Sequence, residues 1–83
     1  MRTLETVSHP RFLITILQFN NKYILRFETG PYEQLYKFTP EMAAGIEAVK
    51  AYLTPEFLEE VGRHFDAMHQ TLVKGFREKQ GAM

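Results

Sequence analysis

Three segments in the first half of the chain carry the residue pattern of β-strands. Residues 12–19, FLITILQF, are rich in β-branched and aromatic side chains, which favour strands. The asparagines at 20–21 tolerate the positive φ of a tight hairpin turn, and Gly-Pro at 30–31 marks a second turn. The pattern predicts a three-stranded antiparallel meander over residues 11–38, preceded by an extended N-terminal segment over residues 1–10.

Two-residue loops at both turns would fix the strand register. They place Phe19 opposite Lys22 and Phe27 opposite Gln34. One face of the sheet, the core face, then becomes almost wholly apolar, and a wider second loop with another register remains an alternative. The core face comprises Phe12, Ile14, Ile16, Tyr23, Leu25, Phe27, Tyr36 and Phe38.

Two helices are predicted after the sheet. The sequence Thr-Pro-Glu, which combines a cap, a first-turn proline and an acid, occurs at 39–41 and again at 54–56. It predicts a first helix over 40–53 and a second over 55–78, with a frayed tail over 79–83. The expected fold is a single α+β domain of order β-β-β-α-α, with both helices packed on the core face.

The opposite face, called the second face below, mixes charged and apolar positions. Antiparallel sheets covered on one side are usually polar on the other, so a contiguous apolar cluster there indicates an interface. The alternatives are that one helix covers each face or that the register is wrong. The charged positions are Lys22, Arg26, Glu28, Glu33 and Lys37, and the apolar positions are Leu13, Leu17, Phe19, Ile24 and Leu35.

The second helix is expected to be longer than the strands of the sheet. A helix over 55–78 is ~36 Å long, whereas an eight-residue strand covers ~26 Å. The overhang of about 10 Å would carry Met68, Leu72, Val73 and Phe76 beyond the sheet. The sequence therefore predicts a homodimer held by the second face, by this helix, or by both.

The charge balance argues against broad affinity for polyanions. Ten Lys and Arg residues balance ten Asp and Glu residues. Such a balance lacks the electrostatic footprint of non-specific nucleic-acid binding. A local patch of Lys22, Arg26 and Lys37 nevertheless makes a small nucleic-acid-binding protein the alternative function. The aromatic side chains beside this patch are predicted on the core face instead, where packing explains them better.

Candidate chemistry is sparse. The chain has no cysteine, and the helical residues His64 and His69 point about 140° apart, so they cannot share a metal ion without a third element. Neither Glu60, four residues before His64, nor His9 completes a local ligand set. With Ser8 as its one serine, the chain contains no nucleophile or phosphate-binding motif, so no enzyme activity, cofactor or metal is predicted.

The remaining features bound the location and the role. The N-terminus lacks the apolar core of a leader peptide, and no apolar run is long enough to span a bilayer, so a cytoplasmic location is expected. The predicted function is a protein-interaction or assembly module that binds itself or an unidentified protein. A pocket assembled between protomers, for catalysis or for a small ligand, is a third and weaker alternative.

Overall fold

The computed structural model describes residues 1–81 and shows an α+β arrangement of one antiparallel sheet with two helices. The four strands follow one another in sequence order across the sheet, so every neighbouring pair is joined by a short connection. The strands are β1 (Arg2–Val7), β2 (Leu13–Phe19), β3 (Lys22–Thr29) and β4 (Tyr32–Phe38), and the helices are α1 (Ile46–Lys50) and α2 (Pro55–Gly81).

Both predicted hairpin registers are confirmed. In the first turn Asn20 and Asn21 have φ of 51° and 64°, the double positive φ of a type I′ turn. Gly30 has φ of 55° and precedes proline, so the second loop also has two residues. Phe19 therefore lies opposite Lys22 across the first hairpin, and Phe27 lies opposite Gln34 across the second, as predicted.

The predicted number of strands, three, is wrong, because the N-terminal segment pairs with β2 as a fourth strand. The register of β1 shifts between Thr3 and Glu5, where a bulge inserts Leu4. Leu4 and Val7 are three residues apart and would face opposite sides of a regular strand. The bulge allows both to pack against the core, so the strand lacks the alternation that would predict it.

An ion pair ties β1 to α1. The Lys50 Nζ atom lies 2.8 Å from the Glu5 Oε2 atom, and this hydrogen bond raises the pKa of the Lys50 amine above its usual value. Both side chains are more than a third exposed. Solvent therefore screens the pair, and its main effect is to orient the strand.

The first helix is shorter than the predicted range of 40–53 and covers only Ile46–Lys50. The Thr39 carbonyl accepts hydrogen bonds from the amides of Met42 and Ala43, at 2.9 and 3.1 Å, so a turn does form at the predicted start. The turn ends at Met42, and residues 43–45 are not helical. Gly45, with φ of 157° and ψ of 167°, a conformation essentially confined to glycine, then precedes the first residue of α1.

The second helix begins at Pro55, as predicted, and runs on to Gly81. The Thr54 hydroxyl accepts a hydrogen bond from the Phe57 amide at 3.1 Å, the geometry of an N-cap. Residues 79–81 of the predicted frayed tail are helical, and residues 82–83 lie outside the described part of the chain.

The hydrophobic core lies between the sheet and the two helices. Phe65 of α2 packs on the β2 side of the core, and Phe57 packs on Phe27 and Tyr36. The Gln34 side-chain amide donates a 3.0 Å hydrogen bond to the Val61 carbonyl, which joins β4 to α2. The buried core residues are Phe12, Ile14, Ile16, Leu25, Phe27, Phe38, Ala43, Val49, Val61 and Phe65.

Leu25→Ala should lower the free energy of unfolding by ~2–5 kcal/mol, because a fully buried side chain would leave a cavity at the centre of the core face. Urea denaturation at a protein concentration of about 1 μM measures this change. Met42→Ala, at a position 51% exposed, serves as the matched control and should change stability by less than ~0.5 kcal/mol. Equal effects of the two substitutions would contradict the assignment of the core face.

Candidate functional site

The second face of the sheet is the side that neither helix covers. The helix residues of the core cluster, Val49, Val61 and Phe65, all pack on the core face. The five apolar residues predicted on the second face do share it, as the strand registers require. This surface is the candidate site, and it is built by side chains of β2, β3 and β4.

The apolar residues of the second face form a floor with raised edges. Leu17 and Ile24 are opposite each other at its centre and are each only 4% exposed. Phe19 and Leu35 lie beside them and are 47% and 49% exposed. Leu13, which is 48% exposed, lies at the other end of β2, opposite Glu28. Large apolar side chains with half their surface in water, grouped around a buried apolar floor, are typical of a binding surface.

A shallow groove of about 430 Å³ follows this floor. Its walls combine aliphatic and aromatic carbon with the stems of basic side chains. It is lined by Met1, Leu17, Phe19, Asn20, Lys22, Ile24, Arg26, Glu33, Leu35 and Lys37.

Met1 is a groove residue that the sequence pattern does not identify. It is 73% exposed and lies beside Leu17, because β1 pairs with β2 and brings the N-terminus to this face. The N-terminal segment is predicted to be unpaired, so no feature of the sequence places Met1 beside the groove. Only recognition of the bulge in β1 would have predicted this strand and the position of Met1.

Charge on the second face is separated along the strand direction. Lys22 and Lys37 lie toward the end at which β2 turns into β3, and both are exposed. Glu28 and Glu33 lie directly opposite each other at the other end. Arg26 lies between the two ends, so the face has a basic end and an acidic end.

Arg26 forms an ion pair with Glu28, an acidic residue of the same strand. Its Nε atom lies 3.0 Å from the Glu28 Oε1 atom, and the buried Nε–H is not aligned on any acceptor within residues 1–81. The pair largely neutralises Glu28. Glu33 makes no ion pair with any residue of the described chain, and its exposed carboxylate therefore dominates the acidic end.

The four residues assigned to the predicted overhang of α2 divide into two groups. Met68 packs against the core cluster, and the neighbouring His69 Nδ1 atom is 2.8 Å from the Tyr32 hydroxyl. Beyond this contact the helix continues over residues 70–81, the helical arm, for about 18 Å. The arm carries Val73, which is half-buried, and Leu72 and Phe76, which are 54% and 59% exposed.

The histidines and carboxylates considered for chemistry are separated or engaged in ordinary pairs. The His9 ring stacks on Phe12 at 4.1 Å, and His64 is exposed on α2. Glu59 and Glu60 both pair with Arg63 on the solvent side of α2. Among residues 1–81, no three side chains of the metal-binding types lie close enough together to hold an ion.

No family model, no curated protein and no solved structure matches this chain. Within residues 1–81, no helix has both the length and the apolar character required to cross a membrane.

Removal of metal ions should leave folding unchanged, because within residues 1–81 no three metal-binding side chains lie together, and no thiolate is present. Thermal melts with excess EDTA, and with added Zn²⁺, measure this. A protein whose melting temperature falls on chelation would hold a metal site that these residues do not account for.

Proposed function

We propose that this protein is a small interaction and assembly module that associates with a second copy of itself through the second face of its sheet. The observation that supports this proposal is a sheet face without a helix, on which three large apolar side chains, Leu13, Phe19 and Leu35, are half-exposed. A second copy presents the same surface, so a two-fold axis would cover both faces at once.

The size of the whole sheet is close to what such an interface requires. With β1 included, four strands about 4.8 Å apart and seven residues long cover about 19 by 23 Å. Two such sheets bury on the order of 900 Å² as flat areas, and protruding side chains raise this toward the roughly 1,000 Å² that a specific interface should exceed. Face-to-face packing of two sheets is also a common way to build a β-sandwich core.

The charges of the second face suit a protein partner better than a nucleic acid. Three cations and two carboxylates give it a net charge of only +1 (three minus two). Arg26 is paired with Glu28, and Phe19 is the one aromatic residue among those that line the groove. Readers of single-stranded nucleic acid combine several stacking rings with a continuous basic track. The sheet aromatics Phe27 and Tyr36 instead belong to the core or pack against it.

Association should also stabilise the fold. An 83-residue domain buries only a little over ~60% of its unfolded surface, so its own core gives a narrow margin. Because a partner that binds only the folded state adds to stability by mass action, the midpoint of thermal unfolding should rise with protein concentration.

Sedimentation equilibrium at 10–100 μM, roughly the range in which a micromolar dimer forms, tests the proposal. The wild type is expected to be dimeric, and Leu35→Glu, which puts a charge on the edge of the groove, should make it monomeric. Met42→Glu is the matched control, because Met42 is equally exposed but lies outside the second face. Circular dichroism of each variant checks that the fold is intact.

Leu72→Glu on the helical arm separates the two candidate surfaces, since Leu72 is the comparable exposed leucine of α2. The proposal expects this variant to remain dimeric. A dimer that Leu72→Glu dissociates and Leu35→Glu does not would assign association to the arm. A monomeric wild type that binds heparin in low salt and is released steeply as salt rises would favour the nucleic-acid alternative.

A further inference from the structure

We infer that the second copy docks with its strands reversed, so that the basic end of each second face covers the acidic end of the other. This inference rests on the proposed self-association and adds its geometry. The two-fold axis would lie between the two sheets and run perpendicular to the strands. The helices would then lie on the two outer sides of a four-layer α-β-β-α dimer.

The order of side chains along the strands carries the inference. At the acidic end Glu28 and Glu33 occupy neighbouring positions on β3 and β4. At the other end Lys37 lies opposite Ile24, and Lys22 follows two residues away on the same face. Glu33 and Lys37 are four residues apart on β4, or about 13 Å.

Each end taken alone is electrostatically unfavourable. Glu28 and Glu33 form a directly opposed pair, and opposed like charges destabilise a sheet. Arg26 offsets one of these carboxylates and leaves the exposed Glu33. Lys22 and Lys37 are diagonal neighbours at the basic end without an acid within salt-bridge distance in residues 1–81. A surface with two separated ends of opposite sign is complementary to its own reversed copy.

Only one of the two simple ways to stack these faces uses that complementarity. An axis parallel to the strands would place the basic end over the basic end and the acidic end over the acidic end. An axis perpendicular to the strands reverses the partner, so that Glu33 meets the Lys37 region of the second copy and Lys37 meets its Glu33 region. Complementary charges of this kind select orientation and suppress wrong docking.

Charge reversal tests the orientation. In the reversed dimer, Glu33→Lys and Lys37→Glu should each weaken dimerisation about tenfold, because each replaces two attractions by two repulsions across the two-fold axis. The double variant Glu33→Lys/Lys37→Glu should recover most of the wild-type affinity, since its opposite charges meet again. Sedimentation equilibrium at low ionic strength measures the three dissociation constants.

Monomer stability provides an independent control. Glu33→Lys removes the like-charge pair with Glu28, and Lys37→Glu removes the one with Lys22, so neither variant should unfold more easily in urea at concentrations below dimer formation. A variant that associates weakly while its monomer is as stable as the wild type therefore reports on docking. A loss of monomer stability parallel to the loss of association would overturn this interpretation.

The remaining outcomes distinguish the inference from the proposed function. A wild-type dimer that Leu35→Glu dissociates but that neither charge reversal weakens would retain the function and overturn the reversed orientation. Weakened single variants with no recovery in the double variant would also overturn it. A wild type that is monomeric at 100 μM, about a hundredfold above a micromolar dissociation constant, would overturn both. Single variants that dimerise weakly, together with a double variant that recovers the wild-type affinity, would establish the reversed two-fold dimer.

Discussion

The packing of Phe27 beneath α2 is the contact on which the rest of the structure depends. Its side chain is fully buried, with the Phe12 and Tyr36 rings edge-on at 5.6 and 5.8 Å and the Phe57 ring tilted at 6.1 Å. These rings come from the residue just before β2, from β4 and from α2, so one residue of β3 joins the middle of the sheet to its cover. Because the helices occupy this side, the half-exposed leucines of the other side remain without intramolecular cover.

The hairpins could be predicted from sequence because their pairing is decided locally. Two asparagines can both adopt positive φ, and a two-residue turn leaves one register for the strands on either side. Once Phe19 faces Lys22, every later pair follows, including the assignment of Leu17 and Ile24 to the same face. The apolar residues of the candidate site were therefore accessible from strand alternation and turn chemistry alone.

The other features of the fold and site depend on backbone geometry that the alternation of polar and apolar residues does not encode. The bulge at Leu4 removes the alternation that would predict β1. The position of Met1 beside the groove could therefore not be predicted either. The start signal at Thr39 forms a turn that ends at Met42, and the helix begins only after Gly45, which residue type alone does not reveal. The strong burial of Leu17 likewise comes from neighbouring side chains, since residue type and alternation fix a face and not an exposed area.

The position of α2 after the sheet in the chain has a consequence for biosynthesis. The four strands are complete at Phe38, but the helix that covers them is in place only when the chain reaches Met68. A chain whose hairpins have formed but whose second helix has not yet docked therefore carries exposed apolar side chains on both faces of its sheet. Such chains can aggregate, so the yield of folded protein in a cell should depend on how rapidly α2 docks once its residues are available.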